Sequence, residues 1–567
     1  MIDSNINGSE AIVKSLLNEG VNTIFGYPGG AIMPLYDALY KYQKLINHIL
    51  VRHEQGAVHA AQGYARITQN AGVCIATSGP GAINLMTGIA DAMMDSTPLI
   101  CITGQVNESL LGTDAFQEAD IISMTLPITK WNYQIVDANE IPYILSKAFF
   151  ITSNGKPGPV LIDITKNAQL SILNNKFSHY KKYYHNIKNI NKKIKHDNIF
   201  NIANEINNAQ RPYLLAGNGI LISKAQNVLK KFIDKTGIPV AVTLLGLSAF
   251  PHDHPKYVGM LGMHGNYSTN KMIQEADLII GIGMRFDDRV TGNVNYFAKN
   301  AKIIHIDINE SEIKKVIKNT HDYIVGDAFN IINMLLPLVA KKDHIQWINK
   351  FKTLDKEEKK HVIDSDINPQ NGDISMGEVI NMLSIKTKGN AIIVADVGQH
   401  QMYAARYYKY LNNNSYITSG GLGTMGFAIP ASLGVQIGSP NQQVIVIVGD
   451  GGFQMTMQEL GTISQYKLPI KIIILNNQYL GMVRQWQQLF FEKRYSFVSM
   501  QNPDFCKIAD GFNIKNLLVK ERHNLSNALD KMINSKEAFL LTIFVGKELN
   551  VFPMVPTGSS VSDIRLK

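Results

Sequence analysis

The sequence predicts an α/β protein made of three doubly wound parallel-sheet domains. Short runs of apolar and β-branched residues alternate with helical patterns along most of the 567 residues, which is typical of parallel sheets whose strands are joined by helices. The chain is also too long for one hydrophobic core, so about three domains of ordinary size are expected. Two polar passages divide the chain into three parts, which are the expected domains.

These passages and the strand-like runs give the domain boundaries. VNTIFGY and PVLIDIT lie before the first passage, RPYLLAG and ADLIIGIG lie between the two, and VIVIVG and IKIIILNN follow the second. In chain order, the expected segments are a first domain (1–170), a linker (171–197), a central domain (198–340), a linker (341–370), a third domain (371–545) and a tail (546–567). The sequence does not show whether the first and third domains share one fold.

Composition excludes several classes of protein. The formal net charge is +9, but the lysines are spread out and do not form the clustered basic face that nucleic-acid binding needs. Cys74, Cys101 and Cys506 lie far apart without C-x-x-C spacing, which argues against disulfides and thiolate metal sites. No apolar run approaches the roughly 18 residues of a membrane span, and no targeting pattern precedes the first helix. We therefore expect a cytoplasmic protein without nucleic-acid or membrane partners.

Two strand ends of the third domain carry the most informative residues. VIVIV ends in GDGG at 449–452, and after a helical stretch IKIIIL ends in Asn476 and Asn477. Parallel strands finish at the same edge of a sheet, so Asp450 and Asn477 are expected to come together. Their oxygens suit Mg²⁺, which usually takes its other ligands from phosphate and water. The glycines and the following helix start would receive the phosphate, so a magnesium–phosphate site is predicted.

A second glycine motif offers an alternative. GLGTMG at 421–426 matches a dinucleotide-binding fingerprint, and Asp450 follows its last glycine by 24 residues. However, no clear strand leads into Gly421, and Asp450 is itself surrounded by glycines. Dinucleotide binding at this motif is therefore the weaker interpretation.

Glu54 is the candidate acid of the first domain. It follows the strand-like HILVR and begins an apolar helical stretch, EQGAVHAAQGYAR. A carboxylate in the first turn complements the helix dipole, which is the simpler interpretation of this stretch alone. Zinc binding is disfavoured because the second histidine follows the first by six residues, whereas H-E-x-x-H requires four. The role of Glu54 thus depends on the cofactor.

The GDGG and NN segments resemble the diphosphate- and magnesium-binding motif of thiamine-diphosphate enzymes. The resemblance covers nearly the whole chain, and FGYPGGAIMPLYDAL, HEQGAVHAAQGYAR, GMRFDDRVTG and GLGTMGFAIPA are most similar to the catalytic (large) subunits of acetolactate synthases. It implies domains that bind, in chain order, the cofactor's pyrimidine, FAD, and the diphosphate with Mg²⁺.

The implied reaction is that of a transferase. Pyruvate is decarboxylated, and its two-carbon unit is joined to a second pyruvate or to 2-ketobutyrate, the first common step of branched-chain amino-acid biosynthesis. Another flavin-containing thiamine-diphosphate enzyme, such as pyruvate oxidase, is the alternative. The segment GMRFDDR favours the FAD-containing anabolic synthases.

The resemblance also implies roles for individual residues. Glu54 would bond N1′ of the pyrimidine, where a low-dielectric setting suits a shared proton. The other implied contacts of thiamine diphosphate are Gln399, His400, Gly423, Met425, Gly449, Gly451 and Gly452. Mg²⁺ would be bound by Asp450, Asn477 and the main-chain oxygen of Tyr479. Phe116, Gln117 and Lys166 would line the substrate pocket, and Gly29 would lie near the reacting carbons. Met425 would hold the cofactor in its bent conformation, and Trp486 would shape the pocket for the second keto acid.

FAD would be held by the central domain. The implied contacts are Lys156, His264, Gly265, Gly283, Arg285, Asp307 and Asp327. Asp307 would accept a hydrogen bond from a ribose hydroxyl, and Arg285 would contact the diphosphate or the flavin.

Two positions depart from the family pattern. Lys156 stands where Arg commonly contacts FAD, and Lys cannot reproduce a bidentate guanidinium. Asn167 stands where Asp is usual, which alters the polarity beside the substrate pocket. The resemblance further implies a homodimer in which Glu54 and Asp450 serve one site from two chains, together with a small regulatory subunit.

Overall fold

The computed structural model describes residues 6–174 and 196–567, which form three six-stranded sheets. Neighbouring strands run parallel in each sheet, so the predicted α/β architecture is confirmed. None of the helices in these ranges is long and apolar enough to cross a membrane. Most of the first predicted linker, 175–195, lies outside the described residues.

The first sheet has strands buried between helices on both faces. Its strands are β1 (Thr23–Gly26), β2 (Asn47–Leu50), β3 (Gly72–Ala76), β4 (Leu99–Gln105), β5 (Trp131–Ile135) and β6 (Pro159–Thr165). Its helices are α1 (Gly8–Asn18), α2 (Met33–Tyr42), α3 (Glu54–Thr68), α4 (Pro80–Ile83), α5 (Met86–Asp95), α6 (Ile121–Thr125), α7 (Ile141–Ser153) and α8 (Lys166–Leu170). Burial on both faces explains the continuous apolar runs of β3, β4 and β6.

The second sheet belongs to the central domain. Its strands are β7 (Pro212–Ala216), β8 (Val240–Val242), β9 (Tyr257–Met260), β10 (Leu278–Ile282), β11 (Lys302–Asp307) and β12 (Asp322–Val325). The helices are α9 (His196–Asn208), α10 (Asn218–Ile222), α11 (Gln226–Thr236), α12 (Tyr267–Met272), α13 (Asp288–Thr291), α14 (Ala328–Leu335), α15 (Ile345–Glu358) and α16 (Asp364–Ile367). The order β9-β8-β7-β10-β11-β12 is that of dinucleotide-binding domains, whose ligands lie where the order reverses, here between β7 and β10.

The third sheet repeats the topology of the first. Its strands are β13 (Ile392–Ala395), β14 (Tyr416–Thr418), β15 (Val444–Gly449), β16 (Lys471–Asn476), β17 (Lys515–Val519) and β18 (Phe539–Phe544). The helices are α17 (Met376–Thr387), α18 (Gln399–Tyr407), α19 (Ala428–Gly438), α20 (Asp450–Thr456), α21 (Leu460–Gln465), α22 (Gly481–Phe490), α23 (Phe505–Gly511) and α24 (Arg522–Asn534). The orders β2-β1-β3-β4-β6-β5 and β14-β13-β15-β16-β18-β17 correspond strand for strand. The first and third domains therefore share one fold, which the sequence did not show.

Helices α3 and α19 join the first and third domains. A Cβ atom at Gly63 would lie 2.0 Å from the carbonyl oxygen of Ala431, and one at Gly434 would lie 1.8 Å from that of Ala60. The two helices thus meet at backbone distance, because neither position carries a side chain. This contact fixes Glu54, at the start of α3, relative to the third sheet.

Residues 341–370, predicted as a linker because the passage is polar and charged, include a helix that packs into the core. Helix α15 lies within this range, and its Trp347 and Phe351 are buried in the core of the central domain. The ring of Phe351 lies 5.5 Å from that of Tyr213, and Trp347 Nε1 donates to the carbonyl of Pro212 at 2.9 Å. Charged residues on the opposite side of α15 obscured the helical spacing of these aromatic residues in the sequence.

The substitution Trp347→Ala tests this packing. Truncating a buried aromatic side chain typically costs about 3–5 kcal/mol, so we expect a clearly lower unfolding temperature by calorimetry. Ile345→Ala is the matched control on α15, because Ile345 is 58% exposed and surface changes stay within about 0.5 kcal/mol. Equal shifts for both variants would contradict a contribution of α15 to the core.

The predicted tail, 546–567, returns to the central domain. Val555, Val561 and Ile564 are buried in its core, and the N–H of Val555 donates to the carbonyl of Met263 at 2.9 Å. The last residues of the chain therefore bridge the third and central domains.

Candidate functional site

The carboxyl edge of the third sheet gathers the candidate diphosphate contacts. Its strand order reverses between β13 and β15, which is where ligands of open α/β sheets bind. Gln399 and His400 begin α18 after β13, and Asp450 begins α20 after β15. A Cβ atom at Gly449 would lie 2.9 Å from His400 Nδ1. The two loops are therefore in direct contact.

Asp450 lies against the turn that follows β16. Asn502 Nδ2 donates to Asp450 Oδ2 at 2.5 Å and to Asn476 Oδ1 at 3.0 Å. Burial raises the pKa of Asp450 to about 6. Asn477 Oδ1 accepts the N–H of Tyr479 at 3.1 Å. The three predicted magnesium ligands thus belong to one cluster. Asn502 links its two parts by bonding both Asp450 and Asn476.

This cluster has the donor set of a phosphate-bound magnesium ion. Among residues 6–174 and 196–567, no group of three or more His, Cys, Asp or Glu side chains forms a metal site. A single carboxylate with amide and main-chain oxygens is too few for an all-protein cage, but it fits Mg²⁺ that takes further oxygens from phosphate.

Gln399 and His400 differ in whether their side chains have polar atoms available to a ligand. Gln399 Nε2 donates to Gln485 Oε1 and to the carbonyl of Leu549, both at 2.9 Å, and its Oε1 accepts from Asn477 Nδ2 at 3.4 Å. Gln399 therefore orients Asn477. His400 is buried, and its Nε2 has no partner among the described residues. Burial lowers the pKa of His400 to about 3, so the neutral ring has one nitrogen available to a ligand.

The loop that contains GLGTMG follows β14, an edge strand of three residues. The amide of Gly426 donates to both oxygens of Asp396, at 3.0 and 3.1 Å, and burial raises the pKa of Asp396 to about 7. A Cβ atom at Gly421 would lie 2.9 Å from Asp95 Oδ1. Close protein contacts thus account for Gly421 and Gly426, because a Cβ atom at Gly426 would lie 3.0 Å from Met455 Cβ. Gly423 has no such contact and faces the cavity described next.

A cavity of about 730 Å³ lies at the carboxyl edge of the central sheet and reaches the third domain. The candidate FAD residues that line it are Lys156, His264, Gly283, Arg285, Asp307 and Asp327. On the side of the third domain it is lined by Gly423, Met425 and Trp486. Gly265 is not part of this lining, and its carbonyl accepts from the buried Arg406 at 2.9 Å.

The polar groups of the cavity are partly satisfied. Lys156 Nζ lies 2.8 Å from Glu312 Oε1, and Arg285 Nη2 lies 3.2 Å from Asp287 Oδ2. His264 Nδ1 is buried and has no partner among the described residues. Burial raises the pKa of Asp307, at the end of β11, to about 6. Two cations, a free ring nitrogen and a strand-end carboxylate suit a ligand with phosphate and ribose groups.

Glu54 lies at the carboxyl edge of the first sheet. Its Oε2 accepts from Asn84 Nδ2 at 3.0 Å, and a Cβ atom at Gly81 would lie 3.1 Å from its Oε1. Gly29 lies at the same edge, since a Cβ atom there would lie 2.5 Å from Thr77. Glu54 is half-buried, so one chain alone does not give it the dry setting that was expected.

The remaining first-domain candidates lie on neighbouring loops. Phe116 is 88% exposed. Gln117 has a positive φ of 61°, and its carbonyl would lie 2.8 Å from a Cβ atom at Gly79. Lys166 is half-buried at the start of α8.

Asn167, which departs from the family pattern, ties two loops together. Its Oδ1 accepts the N–H of Glu108 at 2.9 Å, and its Nδ2 donates to the carbonyl of Val136 at 3.2 Å. A carboxylate could not make the second bond, so the amide suits this position.

The first- and third-domain candidates form two separate groups. Within the described part of the chain, no hydrogen bond or ion pair joins Glu54, Gly29 or Lys166 to Asp450 or Asn477. The cavity beside Met425 and Trp486 is likewise not lined by Glu54 or Gly29.

Asn502 and Asp396 were missed in the sequence. Each acts through contacts between segments that are distant along the chain, and neither lies in a motif of its own.

The chain matches three protein-family models, each of which describes one domain of the thiamine pyrophosphate enzymes. The N-terminal TPP binding domain matches residues 6–124, the central domain matches 199–335, and the C-terminal TPP binding domain matches 396–543. Each match falls on one of the three sheets.

Full-length relatives give a finer assignment. The chain is 43% identical to the acetolactate synthase isozyme 2 large subunit of Escherichia coli, over 99% of both chains. It is 44% identical to the acetolactate synthase large subunit of Lactococcus lactis, over 97% of this chain and 95% of the relative. It is also 44% identical to a probable acetolactate synthase large subunit of Methanocaldococcus jannaschii, over 99% and 95%. The chain therefore belongs to the acetolactate synthase large subunits, a family of thiamine pyrophosphate enzymes.

Proposed function

We propose that the chain decarboxylates pyruvate and transfers the two-carbon unit to a second pyruvate or to 2-ketobutyrate. The observation that carries the proposal is the edge of the third sheet, where Asp450, Asn477 and the free Nε2 of His400 lie together in a chain of this family. The product would enter branched-chain amino-acid biosynthesis. A cytoplasmic location stays a prediction.

The third domain, 371–545, would hold the diphosphate of the cofactor. Asp450, Asn477 and the main-chain oxygen of Tyr479 would ligate Mg²⁺, and His400 would bond a diphosphate oxygen. The backbone of 449–452 would approach the same group, since the start of α20 offers N–H donors. Thiamine diphosphate, when bound, supplies the electron sink for decarboxylation and carbon–carbon bond formation.

The first domain, 1–170, would supply the acid and the substrate contacts. Glu54 would share a proton with N1′ of the pyrimidine. Lys166 would pair with the carboxylate of a keto acid, and Gln117 would donate to its carbonyl oxygen. From the third domain, Met425 and Trp486 would exclude water and shape the space for the acceptor.

A homodimer would complete the site. Because the Glu54 and Asp450 groups are not joined within one chain, Glu54 of one copy would meet the pyrimidine held by the other. The same arrangement would cover the half-exposed Glu54. The designation of the relatives as large subunits supports a smaller regulatory partner.

The central domain, 198–340, would bind FAD in the 730 Å³ cavity. The strand order and the free Nδ1 of His264 fit this cofactor. Lys156 would contribute a single charge, since it is also paired with Glu312.

We expect flavin binding to depend on pH through the buried carboxyl of Asp307. Burial raises its pKa to about 6, so the carboxyl becomes protonated below that pH and is a weaker acceptor for a ribose hydroxyl. We expect flavin affinity to fall as the pH drops below about 6, by at most about tenfold per unit, in a fluorescence titration. Asp307→Asn should bind more weakly at neutral pH but with little pH dependence. If flavin affinity in this variant still fell with pH as in wild type, a group other than Asp307 would be responsible for the pH dependence.

A product assay tests the proposed function. The purified protein with thiamine diphosphate, Mg²⁺ and FAD should form 2-acetolactate from pyruvate alone, and 2-aceto-2-hydroxybutyrate when 2-ketobutyrate is added. Oxygen consumption is measured in the same samples. Oxygen uptake without a condensed product would overturn the proposal and indicate an oxidase.

A further inference from the structure

Helix α5 of the first domain holds the loop that leads to Met425. Asp95, the last residue of α5, accepts the N–H of Gly420 at Oδ2 (2.9 Å) and the N–H of Gly421 at Oδ1 (2.6 Å). Arg66 Nη2 lies 2.8 Å from Asp95 Oδ2, and Arg66 Nη1 donates to the carbonyl of Thr418 at 2.5 Å. One carboxylate and one guanidinium thus fix the start of the loop.

Asp91, one turn earlier on α5, holds both ends of the same loop. Its Oδ1 accepts the hydroxyl of Ser419 and, at 3.2 Å, that of Thr424. Ser419 Oγ in turn accepts the N–H of Thr424 at 2.8 Å. The loop is therefore closed across its own ends by a side chain from another domain.

Both carboxyl groups of this cluster are buried, and Asp95 is ion-paired with Arg66, whereas Asp91 Oδ2 has no hydrogen-bond partner among the described residues. Asp91 is 0% exposed and Asp95 is 2% exposed, and Arg66 is the cation that faces them. A carboxylate with two backbone N–H donors and one guanidinium is well stabilised, whereas removing one partner leaves buried polar groups unsatisfied. Gly421 leaves room for this approach, because a Cβ atom there would lie 2.9 Å from Asp95 Oδ1.

The loop opens directly onto the proposed site. Gly423 and Met425 line the 730 Å³ cavity, and Gly426 is held by Asp396. A Cβ atom at Gly451, in the diphosphate segment, would lie 3.7 Å from Met425 Cε. The location of Met425 therefore depends on the α5 contacts before it and on the Asp396 contact after it.

We propose that Asp91, Asp95 and Arg66 are positioning residues that set the location of Gly423 and Met425 at the cofactor site. This role rests on the proposed function and acts through loop geometry, although Asp95 also lines the 730 Å³ cavity. The first domain thereby contributes twice: Glu54 would serve a site shared with the second copy, and α5 shapes the site on its own chain.

Asp95→Asn in the full-length protein tests the proposal. The amide cannot pair with Arg66 or accept two N–H groups at both atoms, so the loop should loosen. We expect hydrogen–deuterium exchange of a peptide covering 418–426 to rise about tenfold in the cofactor-free protein, while strand β16 stays unchanged. Thiamine diphosphate affinity, measured by calorimetry with Mg²⁺, should fall, and kcat/KM should drop about 10- to 100-fold.

Asp355→Asn is the matched control. Asp355 is a half-buried carboxyl of helix α15 in the central domain, and burial raises its pKa to about 6. This variant should leave exchange of 418–426 and cofactor affinity unchanged. If Asp95→Asn yields no folded protein, Thr424→Val, which removes only the hydroxyl bound to Asp91, should still raise exchange in the loop.

The outcomes separate the two proposals. Unchanged exchange and affinity in Asp95→Asn, or equal changes in Asp355→Asn, would overturn the positioning role even if wild-type protein makes acetolactate. Inactive wild-type protein would overturn the proposed reaction, while the exchange experiment would still decide what holds the loop.

Discussion

Glu54→Gln is expected to lower kcat by about 10²- to 10⁴-fold, the usual contribution of a positioned acid or base. The amide keeps the size of the side chain and can still accept from Asn84, which bonds Glu54 at 3.0 Å. It cannot share a proton with N1′ as a carboxyl does. Steady-state kinetics with pyruvate would measure the loss, and calorimetry would establish that thiamine diphosphate still binds.

Glu10→Gln is the control for this variant. Glu10 also lies in the first turn of a helix, and it pairs with Lys41 at 3.0 Å far from the proposed site. If the carboxylate at position 54 only complemented a helix dipole, both variants would show similar small changes in stability and full activity. That result would contradict the N1′ assignment.

Asp450→Asn should abolish magnesium-dependent cofactor binding. The variant can still accept from Asn502, so the turn after β16 should keep its structure, but the only carboxylate of the cluster is lost. We expect thiamine diphosphate affinity to fall by more than the roughly 10- to 100-fold typical of losing an outer-shell partner. Calorimetric titrations with and without Mg²⁺ would measure it.

Asp504→Asn is the matched control in the same domain. Asp504 is exposed and caps α23 by accepting the N–H groups of Cys506 and Lys507, which Asn also does well. It should bind the cofactor like wild type. Magnesium-dependent binding retained in Asp450→Asn would place the metal elsewhere.

The sequence predicted the parts of the site that lie at strand ends. VIVIV is apolar throughout, and IKIIIL is apolar except for Lys471, because both faces of β15 and β16 are buried. Parallel strands must also end at one edge of the sheet. This was enough to bring Asp450 and Asn477 together. Glu54 was placed at a helix start for the same reason.

Contacts between distant segments could not be predicted in this way. Asn502, Asp396 and Asp95 act on loops from other parts of the chain, and no local pattern marks such a partner. The helix in the supposed linker was missed because the charges around Trp347 outweighed its apolar spacing. Half-burial of Glu54 was missed because burial depends on what packs over the helix end.

The matching strand orders of the first and third sheets have a consequence for how the site arose. The cofactor has an aromatic end and an anionic end, and each end would bind to one of two domains with the same fold. In both domains the binding edge is the one where the strand order reverses. The equivalent strands β3 and β15 lead into different segments, TSGP at 77–80 and GDGG at 449–452. Duplication of one ancestral domain, followed by changes in a few loops, would suffice to produce two half-sites with opposite chemistry.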